Sequence, residues 1–239
     1  MIPVRTKLVP VAGVASSYDD PKNPGQKLDV SQLTVAHFLT PDTNRALHQL
    51  DWKIQESKGK LYLSDLYRSW SMQAKAYEDW LEGKREDYVA PPGKSFHMAG
   101  RAIDIDINHL GFGENKEHWL DILWGIALPL GWEPIVDSPK MGQSEAWHFQ
   151  FLGDDWSKLK ATDGEIAQCA ILDAGQWEQN DPNLQNKFLQ AQLNRLQRLT
   201  NARWLVLDGD IGKHTRQAMK ALQIQSCTVE TAIEKLVTM

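Results

Sequence analysis

Cysteine is scarce in this chain of 239 residues, which contains only Cys169 and Cys227. Two cysteines are too few for a disulfide scaffold, and they do not form a C-x-x-C motif. We interpret both as buried free thiols, with a single bridge between them as the alternative. Long apolar runs are also lacking. Because a membrane-spanning helix needs about 20 apolar residues, the sequence predicts none.

An excess of basic residues is absent as well. The chain has 26 Lys and Arg against 31 Asp and Glu, a net charge of −5. A general nucleic-acid binder would show a basic stripe or patch, so we expect no nucleic-acid partner. Hydrophobic residues make up 42% of the chain, which is enough for a buried core. The length permits one large domain, or a medium domain with a small appendage, and we expect a monomer.

Polar residues interrupt an apolar, β-branched run at residues 95–107, Ser-Phe-His-Met-Ala-Gly-Arg-Ala-Ile-Asp-Ile-Asp-Ile. A strand projects alternate side chains to one face, so Asp104 and Asp106 are predicted to point the same way. Burying a carboxylate requires a cation or several hydrogen-bond donors beside it. The run therefore predicts a metal site.

A second strand-like segment, residues 144–152, sets Glu145 and His148 among aromatic residues. Zinc takes imidazole and carboxylate ligands, and three protein ligands leave a position for water in a catalytic site. The candidate ligands from the two segments are His97, Asp104 and His148, with Asp106 and His109 as alternatives. Glu145 would then be free to act on the water.

Three ordered motifs in residues 30–152 resemble those of the zinc D-alanyl-D-alanine carboxypeptidases, the VanY-type peptidases. The motifs are Tyr67-Arg68-Ser69 followed by Gln73, then Ser95-x-His97-x-x-Gly100-x-Ala102-x-Asp104, then Glu145-x-Trp147-His148-Phe149. The resemblance implies Zn²⁺ as the cofactor and favours Asp104 over Asp106 as the ligand. It leaves Asp106 to orient a histidine from outside the ligand set.

The same resemblance implies roles for four further side chains. Glu145 is expected to be the general base that takes a proton from zinc-bound water and returns it to the leaving amine. Arg68 is expected to stabilise the developing oxyanion or to hold a substrate carboxylate, with a structural salt bridge as the alternative. Ser95 and Gln73 are expected to contact the substrate.

The function that the resemblance implies is hydrolysis of a peptidoglycan stem-peptide bond of the D-Ala-D-Ala type, by a carboxypeptidase or an endopeptidase. Trp147 before His148 favours this branch over L-alanyl-D-glutamate endopeptidases. A zinc-containing wall-binding protein without activity is another alternative, as is a glycosidase that pairs Glu145 with Asp104. We expect action on the bacterial wall, in the periplasm or outside. The sequence shows no clear signal peptide, so an endolysin or a delivered effector is expected.

Periodicity and turn residues predict an α+β fold, with a small antiparallel sheet and flanking helices around the zinc site. A helix should start at Pro41 after Thr40, bury Ala46, Leu47, Leu50 and Ile54, and end near Gly59. Further helices are predicted at 71–81, 118–130 (closed by Gly131), 163–177, 184–199, 215–222 and 228–237. Strands are predicted at 61–67, 132–136 and 145–152.

Two domains are predicted. Residues 1–180 form the peptidase, with its core at about 30–152 and an irregular arm formed by residues 1–30. Residues 181–239 form a three-helix bundle that resembles the common peptidoglycan-binding domain. That resemblance is carried by Asp208-Gly209-x-x-Gly212-x-x-Thr215 and by Gln223. The alternative is that Gly209 and Gly212 only shape a loop between helices.

Overall fold

The structure is a computed structural model, and it describes residues 8–33, 37–153, 183–196, 205–224 and 227–237. Its strands are β1 Val9–Pro10, β2 Ala15–Asp19, β3 Lys27–Asp29, β4 Phe38–Leu39, β5 Leu63–Asp65, β6 Ala102–Ile105, β7 Trp132–Glu133 and β8 His148–Phe151. Its α-helices are α1 Pro41–Glu56, α2 Trp70–Leu81, α3 Trp119–Ala127, α4 Leu184–Arg195, α5 Lys213–Ala221 and α6 Val229–Val237. Short 3₁₀ helices lie at Val30–Gln32, Ile107–His109, Lys116–His118 and Leu128–Leu130.

The described strands form a six-stranded sheet in the order β3-β2-β5-β6-β8-β7, and β1 pairs separately with β4. All neighbours in the larger sheet are antiparallel except β2 and β5, which are parallel. The predicted α+β class with a small sheet and flanking helices is therefore found. In the centre of the sheet, Asp104 of β6 lies opposite His148 of β8 and is paired on its other side with Asp65 of β5.

The N-terminal region differs from its prediction. Residues 8–30 are not an irregular arm, because they supply β1, β2 and β3, and two of these strands extend the main sheet. Val14 and Ser16 are buried there. The prediction was wrong because small serines and flanking turn residues conceal the alternation of a short strand, and its neighbours in the sheet come from distant parts of the chain.

Helix α1 forms as its sequence predicts. Thr40 is the N-cap and Pro41 the first helical residue, where the missing N–H of proline costs nothing. The predicted apolar positions are all buried: Ala46, Leu47, Leu50 and Ile54. The helix ends at Glu56, before the predicted stop at Gly59. Its buried face shares one apolar cluster with α3 and the central strands.

Helix α3 closes the other end of this cluster. Its Trp124 ring stacks on Phe149 of β8, with ring centroids 3.9 Å apart. The following turn ends at Gly131, whose φ of +88° favours glycine, so the predicted stop at Gly131 is confirmed. The strands are shorter than predicted. Residue 145 in particular lies outside β8, in the turn before it.

A buried arginine joins the start of α1 to the end of the sheet. Arg101 Nη1 lies 2.8 Å from Asp42 Oδ2, while its Nε and Nη2 donate to the carbonyl oxygens of Phe151 and Leu152. Burial alone would raise the pKa of Asp42, but Arg101 and the Thr40 hydroxyl lower it below its ordinary value. This contact between Arg101 and Asp42 was not predicted from the sequence.

We predict that Arg101→Gln lowers the free energy of unfolding by about 3 kcal/mol, because it leaves buried carbonyl oxygens and the Asp42 carboxylate without their donor. A lowered Asp42 pKa means that the ion pair contributes above the unfolded pKa of about 4 and is lost as the pH falls through the folded value. The difference in free energy of unfolding between Arg101→Gln and wild type should therefore become smaller in acid. Chemical denaturation measures it, with the exposed Arg45→Gln as control. A loss equal to that of the control would contradict the prediction.

The described residues of the C-terminal region form three helices, α4, α5 and α6. They share an apolar cluster, which consists of Leu189, Leu193, Leu196, Leu205, Ala218, Met219, Ile224, Ala232 and Leu236. The predicted helix at 163–177, the predicted boundary near 181 and Cys169 lie outside the described residues. The independent bundle therefore stays a prediction.

The C-terminal region contacts the rest of the chain at the start of α2. Lys187 Nζ lies 4.4 Å from the centroid of the Trp70 ring, and Trp70 packs against the small buried cluster of Ala191 and Leu207. In the part of the chain that the structure describes, every helix is too short or too polar to span a bilayer.

The glycine motif of this region has a clear structural role. Gly209 has a φ of +80°, and a Cβ there would lie 2.5 Å from Asn183 Cβ. Gln190 fixes the loop, since its Oε1 accepts from Gly209 N at 2.8 Å and its Nε2 donates to Asp208 Oδ1 at 2.8 Å. The loop-shaping role accounts for these contacts, and wall recognition by the motif stays a prediction.

Candidate active site

The site is built on the central strands of the sheet. Asp104 and His148 face each other across the antiparallel pair of β6 and β8, so a cross-strand register brings residues 44 positions apart into contact. His148 Nδ1 lies 2.9 Å from Asp104 Oδ1. His97 Nε2 lies 3.2 Å from the same oxygen and 3.1 Å from His148 Nδ1. All three residues are buried.

His97 reaches the cluster from a tight turn before β6. Its Nδ1 donates to the carbonyl oxygen of Leu66, so Nε2 of the neutral ring keeps its lone pair and faces Asp104 and His148. Gly100 closes this turn with a φ of +62°, and a Cβ there would overlap Leu8. The glycine in the motif is thus required by the backbone.

The three facing atoms suit a metal ion. For tetrahedral zinc with bonds of about 2.0–2.1 Å, neighbouring ligand atoms lie about 3.3 Å apart, and the separations here are 2.9–3.2 Å. Acceptor atoms packed this closely require a cation or a shared proton between them. Among the described residues, this is the group of histidine, cysteine and acidic side chains that could hold a metal.

The charge of Asp104 is stabilised by its partners. Burial by itself would raise the pKa of this carboxyl group, but His97 and His148 outweigh it and hold the pKa well below its usual range. Asp104 is therefore an anion at neutral pH and available as a ligand.

The alternative ligands lie apart from the cluster. Asp106 follows the end of β6 and caps a 3₁₀ helix, with its Oδ1 accepting from Asn108 N. Its Oδ2 lies 2.7 Å from His109 Nδ1. Asp106 thus orients a histidine, as the resemblance led us to expect, but that histidine is His109 and not one of the three in the cluster.

Glu145 lies in the turn before β8 and lines the same cavity as His97, Asp104 and His148. Its φ of +64° is in the left-handed region, which is uncommon for a residue with a side chain. Burial raises the pKa of Glu145 above its ordinary value; His148 and Arg68 oppose the rise, whereas Asp104 and Asp87 add to it. A raised pKa makes the carboxylate a stronger base near neutral pH.

The turn that carries Glu145 is tied to the opposite wall of the cavity. Ser144 Oγ donates to Asp87 Oδ1 at 2.5 Å. Asp87 belongs to the loop at 82–94, which lines the cavity together with the turn of Glu145. Neither Asp87 nor Ser144 was predicted, because a bond between two exposed loop residues leaves no periodic signal in the sequence.

Arg68 lies in the cavity wall with its guanidinium fixed by acidic partners. Its Nε lies 2.6 Å from Asp65 Oδ2 and its Nη2 3.2 Å from Asp104 Oδ2. Burial would lower the pKa of Arg68, but Asp65 and Asp104 raise it, so the side chain remains charged. Asp65 was not predicted either; it lies three residues from Arg68, and the pairing of β5 with β6 places it opposite Asp104.

The two predicted substrate contacts are placed differently. Ser95 lines the cavity, which has a volume of about 570 Å³, and its Oγ accepts from His97 N. Gln73 is fully buried. Its amide donates to the carbonyl oxygen of Ala90 at 2.6 Å and accepts from Arg68 Nη1 at 3.4 Å. It therefore braces Arg68 against the cavity loop.

This arrangement defines a class of protein. Two imidazoles and a carboxylate that could hold a metal lie in one cleft with a raised-pKa glutamate and a fixed arginine, a combination typical of metal-dependent hydrolases. Residues 36–154 match the family described as VanY, D-alanyl-D-alanine carboxypeptidase. Residues 36–154 therefore form a domain of this family, which supports a peptidase that acts on peptidoglycan.

The chain is also similar to a solved structure of the LdcB LD-carboxypeptidase, which is described as revealing the molecular basis of peptidoglycan recognition. The identity is 22%, the TM-score is 0.46, and the similarity covers 67% of this chain and 77% of the other. No curated protein matches the sequence.

Proposed function

We propose that this protein is a zinc-dependent peptidase that hydrolyses a stem-peptide bond of peptidoglycan, of the D-Ala-D-Ala type. The observation that carries the proposal is the buried contact of His97, Asp104 and His148 inside a cavity that Glu145 and Arg68 also line. These residues lie within the VanY-type domain.

His97, Asp104 and His148 would hold the ion through the three atoms that already face one another. Zinc bound there supplies Lewis acidity, which acidifies water and polarises a carbonyl group. The contact of His97 Nδ1 with Leu66 fixes the ring orientation and leaves Nε2 for the metal.

Glu145 acts as the general base. Its carboxylate takes a proton from the attacking water and then delivers it to the nitrogen of the leaving amine. Burial supports this role, because it raises the pKa of Glu145 above its ordinary value and so strengthens the carboxylate as a proton acceptor. The bond between Ser144 and Asp87 holds the turn that carries the base.

Arg68 stabilises negative charge that develops on the carbonyl oxygen of the cut bond, or holds a substrate carboxylate. Its contacts with Asp65, Asp104 and Gln73 restrict the guanidinium before substrate arrives. A charge held in place in this way costs little reorganisation during the reaction. Ser95 lines the cavity beside it and is a further candidate for contact with the peptide.

Two further features are proposed: the type of peptide bond that is cut and the way in which the enzyme reaches the wall. Trp147, which directly precedes His148, supports specificity for a D,D-type bond. We also propose that residues 181–239 form a separate wall-binding unit, and that the protein reaches the wall as an endolysin or as a delivered effector. The pairing of a wall peptidase with a wall-binding unit supports this division of the chain.

Digestion of purified peptidoglycan tests the function, with the products identified by mass spectrometry. We expect release of a terminal D-alanine or a cut at a D,D-bond, loss of that activity in a chelator, and recovery when zinc is added. A cut between L-alanine and D-glutamate would contradict the assigned bond. Cleavage of the glycan, or activity that survives the chelator, would overturn the zinc-peptidase proposal.

A further inference from the structure

The charge of the chain is distributed unevenly. Residues 183–239 contain eight Lys and Arg and four Asp and Glu, a net charge of +4. Residues 1–182 contain 18 Lys and Arg and 27 Asp and Glu, a net charge of −9. The overall value of −5 therefore conceals a basic C-terminal region attached to a strongly acidic remainder. Such asymmetry indicates that the two regions meet a charged partner differently.

Helix α5 carries three of the eight basic residues of the C-terminal region. Lys213, Arg216 and Lys220 are exposed and lie at spacings of three and four residues, which places them on one stripe of the helix. The stripe spans about 10 Å. Thr215, Ala218 and Met219 are buried on the opposite side, so the stripe faces away from the apolar cluster. Helix α5 contains no acidic residue.

Nothing in the described structure neutralises this stripe. None of its three residues forms an ion pair with another described residue. Arg216 Nε donates to the carbonyl oxygen of Ile211 at 2.9 Å, which holds the guanidinium near the start of the helix without cancelling its charge. The acidic residue nearest in sequence, Asp210, accepts no bond from the stripe.

We propose that the basic stripe, Lys213, Arg216 and Lys220, binds the free carboxylates of peptidoglycan stem peptides. The inference rests on the proposed function, because a peptidase acting on the wall must approach a polymer that carries many carboxylates. The acidic region with the active site is repelled by such a polymer. A cationic stripe on the adjoining region offsets that repulsion and holds the enzyme at its substrate. Binding of this kind weakens with salt.

Co-sedimentation with purified peptidoglycan tests the stripe in the zinc-loaded full-length chain. The polymer is first stripped of attached phosphate polymers. We expect wild-type binding at low salt and its loss at high salt. The triple variant Lys213→Gln, Arg216→Gln, Lys220→Gln should bind about tenfold more weakly at low salt, from the loss of three exposed charge contacts. The matched control changes three exposed lysines by the same charge, at Lys53, Lys58 and Lys60.

Several outcomes would overturn the proposal. They are unchanged binding of the triple variant, binding that does not respond to salt, and binding that survives amidation of the wall carboxylates. Binding that disappears once the phosphate polymers are removed would assign the stripe to those polymers.

Sedimentation does not depend on hydrolysis, so the result is separate from the proposed activity. The triple variant should hydrolyse a small soluble peptide at the wild-type rate. If hydrolysis of that peptide falls as much as wall binding does, the triple variant has a folding defect.

Discussion

Glu145→Gln should retain zinc, the folded state and near-normal substrate affinity while its turnover falls by about 10³-fold or more. Removing a positioned general base costs on the order of 10²–10⁴ in rate, and a base that also protonates the leaving amine belongs at the upper end. Glutamine keeps the shape of glutamate but cannot accept the proton. Glu145 lines the cavity without belonging to the facing triad of His97, Asp104 and His148, so metal content should not change.

Steady-state kinetics on a stem peptide measure this, together with metal analysis of the same sample. Glu133→Gln is the matched control, because it makes the same change at an exposed position on the edge strand β7. Its turnover should equal that of wild type. Near-normal turnover in zinc-loaded Glu145→Gln would eliminate the proposed mechanism. A large rise in KM with unchanged kcat would instead make Glu145 a binding residue.

His148→Ala should lose most of its zinc and with it the activity. His148 Nδ1 lies within about 3 Å of both other candidate atoms, at 2.9 Å from Asp104 Oδ1 and 3.1 Å from His97 Nε2. Two remaining ligands hold zinc far more weakly than three. Metal content after dialysis measures the loss, and thermal unfolding shows whether the variant is folded.

The alternative ligands, Asp106 and His109, provide the controls for the measurement of metal content. Asp106→Ala and His109→Ala should retain zinc, because these two side chains bond to each other at 2.7 Å and not to the cluster. If His148→Ala keeps its full zinc content and either control variant loses zinc, the metal site lies at Asp106 and His109. Full zinc in all three variants would mean that the chain binds the metal elsewhere.

The sequence by itself determined the features that depend on local pattern. The buried face of α1, its start at Pro41 and the stop at Gly131 follow from helical spacing and from backbone restrictions on single residues. The residue types for a metal site were also visible, because carboxylates and imidazoles in apolar strands need a cation beside them. The ordered motifs indicated the family, which the match at residues 36–154 confirms.

The tertiary structure alone decided which residues meet. Asp104 contacts His148 because β6 and β8 pair in one particular register, and Arg68 reaches Asp104 because β5 pairs with β6 on the other side. A one-residue slip in either pairing would turn these side chains to the opposite face, and nothing local in the sequence excludes such a slip.

Tertiary contacts also set the functions that single residues can serve. Gln73 sits in a helix of ordinary pattern, yet its amide is used by Arg68 and Ala90. Glu145 was predicted in a strand but lies in a left-handed turn, tied through Ser144 to a loop 57 residues earlier. Such contacts join segments far apart in the chain. Their geometry depends on how the whole sheet packs, which periodicity in any one segment does not encode.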